Sequence, residues 1–204
     1  MSLLKTIESM PKSLFTNHHR SMPLAKWATL LLGSLILFFL LSSTNNKSLF
    51  LLLNGHLSDW FGPSFWGIIT CMGDGLFLFP LGMLLVWKNP KKQQAMIISM
   101  ILAALALNAS KHVIDAPRPL KELGSNLVTV VGPQVKNYSM PSGHTGTVFI
   151  LAGLAIIFSN RKVALAATAL AILTGLSRIA VGAHWPADII AGAWVGLICS
   201  VFGV

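Results

Sequence analysis

Residues that could carry out phosphate chemistry occur in three short stretches of an otherwise apolar chain. The first is KHVIDAPRP at 111–119, the second is PSGH at 141–144, and the third is SRIAVGAHWPAD at 177–188. Together they contain cations, three histidines and two carboxylates. A cationic pocket attracts a multiply charged anion, and the forked guanidinium of arginine matches phosphate oxygens. The three stretches therefore favour binding and reaction of a phosphate group.

The second stretch directly precedes an apolar run, so it is predicted to begin a helix. The first N–H groups of a helix lack partners and the helix dipole is positive there, which suits an anion. Ser142 adds a hydroxyl, Gly143 lets the backbone approach a ligand, and His144 can exchange a proton. Ser142 alone would be an ordinary helix cap, and that interpretation remains open.

The first stretch supplies two cations. Lys111 ends an apolar run, and Arg118 lies between Pro117 and Pro119. A lone lysine at a helix end is commonly an anchor at the membrane interface, which is the alternative explanation. The two prolines restrict the backbone around Arg118, and this favours a functional role over a purely solvated one.

The third stretch combines Arg178 with a histidine and a carboxylate. Asp188 follows His184 by four residues, a spacing that brings two side chains together within a helical turn. A carboxylate that accepts from one ring nitrogen fixes the tautomer and makes the other nitrogen more nucleophilic. Asp188 therefore favours His184 as the nucleophile, although an acidic residue is also common at the start of a helix.

Metal binding and nucleic-acid binding are the rival interpretations of these residues. The histidines of the three stretches lack close metal-ligand spacing, so we expect no metal and no other cofactor. The net charge is +9, but no nucleic-acid motif is present. Membrane topology and anionic headgroups account for the basic excess, so no nucleic-acid partner is expected.

The elements that position these stretches are predicted from hydropathy. Hydrophobic residues make up 54% of the 204 residues and charged residues 10%, whereas soluble domains carry about a quarter charged residues. A membrane span needs about 20 apolar residues. Six apolar runs approach that length, and we treat the first as a retained helix rather than a cleaved signal. The runs are 25–43, 71–87, 95–111, 144–159, 162–178 and 187–204.

The sequence therefore predicts an all-α fold, a bundle of six transmembrane helices. Residues 1–24 form a basic cytoplasmic N-terminal segment, and 25–204 form one transmembrane domain. Between the first two runs, residues 46–68 mix apolar and polar positions and include Trp60 and Trp66. This mixture predicts an amphipathic segment in the outer interface after the first helix.

The distribution of basic residues predicts the orientation, because short cytoplasmic loops collect Lys and Arg. Nine of the fifteen basic residues lie before or at the start of the first run, between the second and third runs, or at the boundary of the fourth and fifth runs. Both termini are then cytoplasmic. The end of the third run, the start of the fourth, the end of the fifth and the start of the sixth share the outer face. All three stretches are predicted to meet there.

The three stretches resemble the three-part signature of the type 2 phosphatidic acid phosphatase family. The matching residues are Lys111 through Arg118-Pro119, then Pro141-Ser142-Gly143-His144, then Ser177-Arg178 with His184 and Asp188. The resemblance implies a metal-independent, integral-membrane lipid phosphatase with a six-helix bundle.

The resemblance also implies a role for each residue. His184 would attack phosphorus to form a phosphohistidine, Asp188 would orient it, and His144 would protonate the leaving oxygen and then activate water. The remaining residues would hold the phosphoryl oxygens and stabilise the transition state: Lys111, Arg118, Ser142, Gly143 and Arg178.

The leading hypothesis is hydrolysis of a lipid phosphomonoester or diphosphate at the outer face of a bacterial inner membrane. The family's substrates include undecaprenyl diphosphate, phosphatidylglycerol phosphate, phosphatidic acid and lipid A phosphates, and we slightly favour the first. The alternatives are a lipid phosphotransferase with the same intermediate and a non-catalytic lipid-binding or transport protein. Trp185 is interpreted as an aromatic-belt residue, and His112 and Asp115 as local structural residues. Nothing in the sequence indicates an oligomeric state.

Overall fold

The computed structural model of the protein describes residues 46–204. The predicted N-terminal segment 1–24 and the first apolar run 25–43 lie outside the described residues. The described part of the chain is helical and contains no strand, which confirms the all-α prediction. Its helices are α1 (Asn46–Cys71), α2 (Gly75–Leu85), α3 (Pro90–Ile114), α4 (Pro119–Leu123), α5 (Gly143–Phe158), α6 (Arg161–Ala180) and α7 (Pro186–Phe202).

Each of the last five predicted runs overlaps a helix, but their lengths differ. The segment Pro90–Leu123 and helix α6 are long and apolar enough to cross a membrane, and α1 with α2, bent by 57°, pass the same test as a pair. Helices α5 and α7 are apolar but shorter, with 16 and 17 residues. The second run was predicted at 71–87, whereas α2 has only 11 residues because a turn precedes it. The count of six spans stays a prediction.

Helix α1 contains the segment that was predicted to be amphipathic. It is kinked at Gly62, where φ is 74°, and Pro63 follows. The buried amide of Asn54 donates to the carbonyl oxygens of Ile179 and Ala180 at 2.9 and 3.1 Å, and its Oδ1 accepts from Thr129 N at 2.9 Å. These bonds satisfy carbonyl groups at the end of α6. They attach α1 to the end of α6. The location of α1 in the outer membrane interface stays a prediction.

Helix α5 is the centre of the bundle and packs on α3, α6 and α7, and less extensively on α2. Glycines let α7 approach it closely. A Cβ at Gly192 would collide with the carbonyl oxygen of Ser142, and one at Gly196 with that of Gly146. Small residues of this kind let membrane helices pack closely. The close approach positions the start of α5 against the start of α7.

Candidate active site

The start of α5 is held by a capped turn. Ser142 is the N-cap, and its Oγ accepts from Thr145 Oγ1 at 2.9 Å and from Thr145 N at 3.4 Å. The Ser142 N–H donates to the carbonyl oxygen of Asp188 at 3.0 Å, which joins α5 to α7. Ser142 therefore acts as a cap, the role left open above. Both bonds use its oxygen as the acceptor, so neither uses its hydroxyl proton.

Lys111 lies next to the start of α5. It belongs to the last turn of α3, and a Cβ placed on Gly143 would be 3.5 Å from its Nζ. The Lys111 charge interacts with the charges of Arg118 and Arg178. Three like charges that repel one another favour a bound anion that neutralises them.

Arg118 connects the first stretch to the turn before His184. Its Nε donates to the Asn137 carbonyl at 3.0 Å, and its Nη1 donates to the Ala183 carbonyl at 3.2 Å. Its backbone N–H donates to Lys136 O at 2.9 Å. The guanidinium is therefore held by backbone carbonyl groups from two separate segments.

Arg178, in the last turn of α6, is anchored on one side only. Its Nη1 donates to Thr70 Oγ1 of α1, while its Nε is buried and has no partner among the described residues. Its carbonyl oxygen accepts from Ala183 N at 3.0 Å and His184 N at 3.2 Å. A buried N–H without a partner is unfavourable, so the guanidinium is arranged to donate to a ligand.

His184 and Asp188 form a buried pair. Their side chains are 2% exposed, and His184 Nδ1 lies 3.3 Å from Asp188 Oδ2. The same carboxylate oxygen accepts from Trp185 N at 2.9 Å and from the hydroxyl of Ser139. A proton on Nδ1 that is donated to Asp188 leaves the lone pair of Nε2 free for nucleophilic attack.

His184 lies in the turn between α6 and α7. Burial lowers the pKa of His184 from 6.5 to about 4, although the hydrogen bond and charge of Asp188 act in the opposite direction. The nearby Arg178 and Arg118 lower it further. The imidazole is thus neutral at pH 7, the state a nucleophile requires.

His144 is in the first turn of α5 and is partly buried. Its ring interacts electrostatically with Arg178, His184 and Lys111, which places it among the same charges. The turn before α2 packs against it, because a Cβ on Gly73 would be 2.8 Å from His144 Cβ. Being more accessible than His184, His144 is the better placed of the two to exchange protons with a leaving group or water.

The structure thus brings all eight predicted site residues to one end of the described bundle. His112 and Asp115 are nearby and have local roles: His112 packs edge-on against the Tyr138 ring at 5.1 Å, and Asp115 is the left-handed C-cap of α3. Within residues 46–204, no three His, Cys, Asp or Glu side chains cluster as a metal-ligand set.

Comparison with known proteins identifies the family. The model of the PAP2 superfamily matches residues 94–204, more than half of the chain. The chain belongs to the PAP2 superfamily. This confirms the resemblance recognised from the three sequence stretches.

Two curated relatives of this PAP2 chain are phosphatases by name. An undecaprenyl-diphosphatase of Sulfolobus acidocaldarius is 32% identical over 123 residues, covering 60% of this chain and 59% of the relative. A lipid A 1-phosphatase of Rhizobium etli is 31% identical over 164 residues, covering 72% of this chain and 69% of the relative. The match to the archaeal relative thus spans less than two thirds of its length.

Two solved structures share the fold. Aquifex aeolicus LpxE is 28% identical with a TM-score of 0.69, and the match covers 78% of this PAP2 chain and 93% of LpxE. A transmembrane PAP2 type phosphatidylglycerolphosphate phosphatase from Bacillus subtilis is 21% identical with a TM-score of 0.67, covering 86% and 92%. The latter likeness shows the fold alone.

Three side chains that support the PAP2 site were not found from the sequence. Ser139, fully buried, donates to Asp188, and Thr70 accepts from Arg178. Trp185 is 5% exposed, donates from Nε1 to the Pro117 carbonyl at 2.9 Å and packs edge-on against Phe50. The aromatic-belt interpretation of Trp185 is therefore wrong, because its ring is enclosed by protein. Isolated Ser, Thr and Trp residues carry no local signal that identifies such partners.

Proposed function

We propose that this PAP2 chain is an integral-membrane lipid phosphatase that hydrolyses a phosphomonoester or diphosphate of a membrane lipid. The observation that carries the proposal is the buried His184–Asp188 pair, set beside three cations and the start of α5. The phosphatase names of the relatives support the same activity.

The first half-reaction transfers the phosphoryl group to the protein. Nε2 of His184 attacks phosphorus, the bond from phosphorus to the leaving oxygen breaks, and a protonated His144 gives its proton to that oxygen. Asp188 holds Nδ1 and stabilises the positive charge that develops on the ring. The products are the dephosphorylated leaving group and a phosphohistidine.

The second half-reaction restores the enzyme. His144, now neutral, takes a proton from water as the water oxygen attacks phosphorus and the bond to His184 breaks. Phosphate leaves, and His144 is again protonated. Both steps proceed without a metal or another cofactor.

The remaining site residues stabilise the charge of the transferring group. Lys111, Arg118 and Arg178 supply cationic donors, and the amide of Gly143 and the hydroxyl of Ser142 supply neutral ones. The unpaired Nε of Arg178 supports this role, since a phosphoryl oxygen would satisfy it.

Undecaprenyl diphosphate is the substrate we slightly favour, in line with the name of the archaeal relative. Phosphatidylglycerol phosphate, phosphatidic acid and lipid A phosphates are the other candidates. We place the protein in a bacterial inner membrane, with both termini in the cytoplasm and the site on the periplasmic or outer face. The basic loops predicted to be cytoplasmic support this orientation.

Phosphate release from this panel of lipids by the purified protein, with a metal chelator present, tests the proposal. We expect activity that survives chelation and that His184→Ala and His144→Ala each largely abolish. Loss of activity in chelator, with recovery on adding zinc or magnesium, would contradict the metal-free mechanism.

The same experiment separates the alternatives. A phosphorylated lipid acceptor in place of free phosphate would identify a phosphotransferase. A wild-type protein that releases nothing, yet binds lipid as well as His184→Ala does, would identify a lipid-binding or transport protein.

A further inference from the structure

An apolar groove of about 600 Å³ lies between α2 and α6, with α5 as its floor. Helix α5 contributes Val148, Leu151, Ala155 and Phe158, and the α6 side includes Ala167. Aliphatic walls give a water molecule few hydrogen-bond partners, so the groove suits hydrocarbon. Its volume is in the range of sites that bind small molecules.

The groove leads towards the candidate active site. Val148, at its end on α5, is four residues after His144 and lies one turn away on the same helix face. On α6, Ala171 lies two turns below Arg178. Met72 borders the groove, and the adjacent Gly73 packs against His144. One end of the groove is therefore about one helical turn from the catalytic groups.

The other end of the groove reaches the opposite end of the bundle. Its lining on α5 continues to Ser159, about 16 Å from Val148 at 1.5 Å per residue, and Lys88 and Lys92 border that end. An occupant must therefore be long, apolar and narrow. A lipid hydrocarbon chain has these properties.

The apolar run 25–43 lies outside the described residues and is the other candidate for this space. Asn46, the first described residue, accepts a hydrogen bond from Ala187 N at the start of α7, at 3.2 Å. None of the residues that line the groove belongs to α7. The test below distinguishes the run from a lipid chain.

We propose that the groove binds the hydrocarbon chain of the lipid whose phosphate reacts at His184, an inference that rests on the proposed function. The phosphate lies among Lys111, Arg118 and Arg178 while the chain passes Met72 and follows α5 towards Phe158. A chain that fills the groove buries apolar area that a short chain cannot. The site thus selects long-chain lipid phosphates over short-chain analogues with the same headgroup.

Two neighbouring alanines of α6 provide a matched test. Ala167 lines the groove and Ala166 is exposed outside it, so Ala167→Phe obstructs the groove and Ala166→Phe does not. The substrates are undecaprenyl and farnesyl diphosphate, and dipalmitoyl and dioctanoyl phosphatidate, in detergent micelles. We expect Ala167→Phe to lower kcat/KM for the long-chain member of the hydrolysed pair about tenfold and leave the short-chain member unchanged. Ala166→Phe should match the wild type on both.

A second groove variant, Ala155→Phe on α5, guards against a folding defect in the first, and thermal unfolding checks both. The proposal is overturned if the groove variants and Ala166→Phe behave alike, or if long-chain and short-chain activity fall equally. If the groove variants shift the thermal midpoint but leave kcat/KM for the long-chain substrate unchanged, the groove binds bulk bilayer lipid and not the substrate. A disulfide between Ala167→Cys and a cysteine placed in 25–43 would assign it to that run. Release of phosphate from neither chain length by the wild type would instead refute the proposed function.

Discussion

At the scale of single residues, Asp188 contacts both the proposed nucleophile and the residues that hold the starts of α5 and α7. One oxygen of its carboxylate accepts from His184, Trp185 and Ser139, and its backbone oxygen accepts from Ser142. The side-chain bond to Trp185 N is also the N-terminal cap of α7. The carboxylate that orients the proposed nucleophile is therefore fixed by the helix that it caps.

Ser139 offers a test of this arrangement. Ser139→Ala removes one donor from the Asp188 carboxylate, so the imidazole of His184 is held less firmly. We expect kcat to fall about tenfold, the scale of a hydrogen bond to a charged group, with little change in KM. Ser139→Cys, which keeps a weak donor, should recover part of the loss.

Ser125→Ala is the control, because Ser125 is an exposed serine in the same connection between α4 and α5. A rise in KM and a lower thermal midpoint with kcat unchanged would show that Ser139 only supports the fold.

The lowered pKa of His184 predicts a specific pH dependence. The imidazole should stay neutral as the pH falls from 6.5 to about 4, so its NMR signals should titrate near pH 4. Histidine-labelled protein in detergent, with His184→Gln to assign the signals, gives the measurement. A midpoint near 6.5 would contradict the buried environment.

The same pKa difference affects stability. The unfolded chain binds a proton at this histidine below about pH 6.5, and the folded chain binds it only near pH 4. The free energy of unfolding should therefore fall as the pH is lowered between these values, because the unfolded state binds more protons. His184→Gln should lose that part of the pH dependence.

At the scale of helices, the site depends on how closely α5 and α7 approach. Gly192 of α7 lies against the carbonyl of Ser142. A Cβ added at Gly192 would also be 3.2 Å from Thr145 Cβ. Ser142 caps α5 and Asp188 caps α7, so the same contact aligns both helix starts. Separation of these helices would change the cap, the Ser142–Asp188 bond and the position of His184 together.

Gly192→Ala should consequently reduce both stability and activity. The added methyl group forces the helices apart, and overpacking of this kind lowers the free energy of unfolding by about 1–3 kcal/mol. Thermal unfolding and phosphate release measure the two effects.

Gly67→Ala is the matched control, because a Cβ at Gly67 in α1 meets nothing within 4 Å. A Gly192→Ala protein as stable and active as Gly67→Ala would show that the contact is not critical.

At the scale of the whole molecule, basic residues form two groups, one at each end of the described bundle. Lys111, Arg118 and Arg178 gather at the site, whereas Lys88, Lys91, Lys92, Arg161 and Lys162 lie at or next to the starts of α3 and α6. Lys92 Nζ donates to the carbonyl of Phe158 at 3.3 Å, at the end of α5 furthest from Ser142. The basic residues at the starts of α3 and α6 therefore lie at the end of the described bundle opposite the candidate site, and the orientation in the membrane stays a prediction.

Much of the architecture could be predicted because it depends on local patterns. Apolar runs identify helices, and the contact between His184 and Asp188 follows from their helical spacing. The predicted alternation of the runs placed the three stretches at one end, and the structure also has them at one end of the described bundle. The break at Met72–Asp74 was missed, since the flanking residues are equally apolar on both sides.

The family, the helical class and the candidate site residues could be predicted from the amino-acid sequence, because composition and short spacings between residues indicate all three. The folded protein was needed to show that Ser139 contacts Asp188 across 49 positions, that Trp185 is enclosed, and that a groove separates α2 from α6. Such contacts depend on how whole helices are placed relative to one another. That placement results from packing summed over many residues, which no single stretch of sequence encodes.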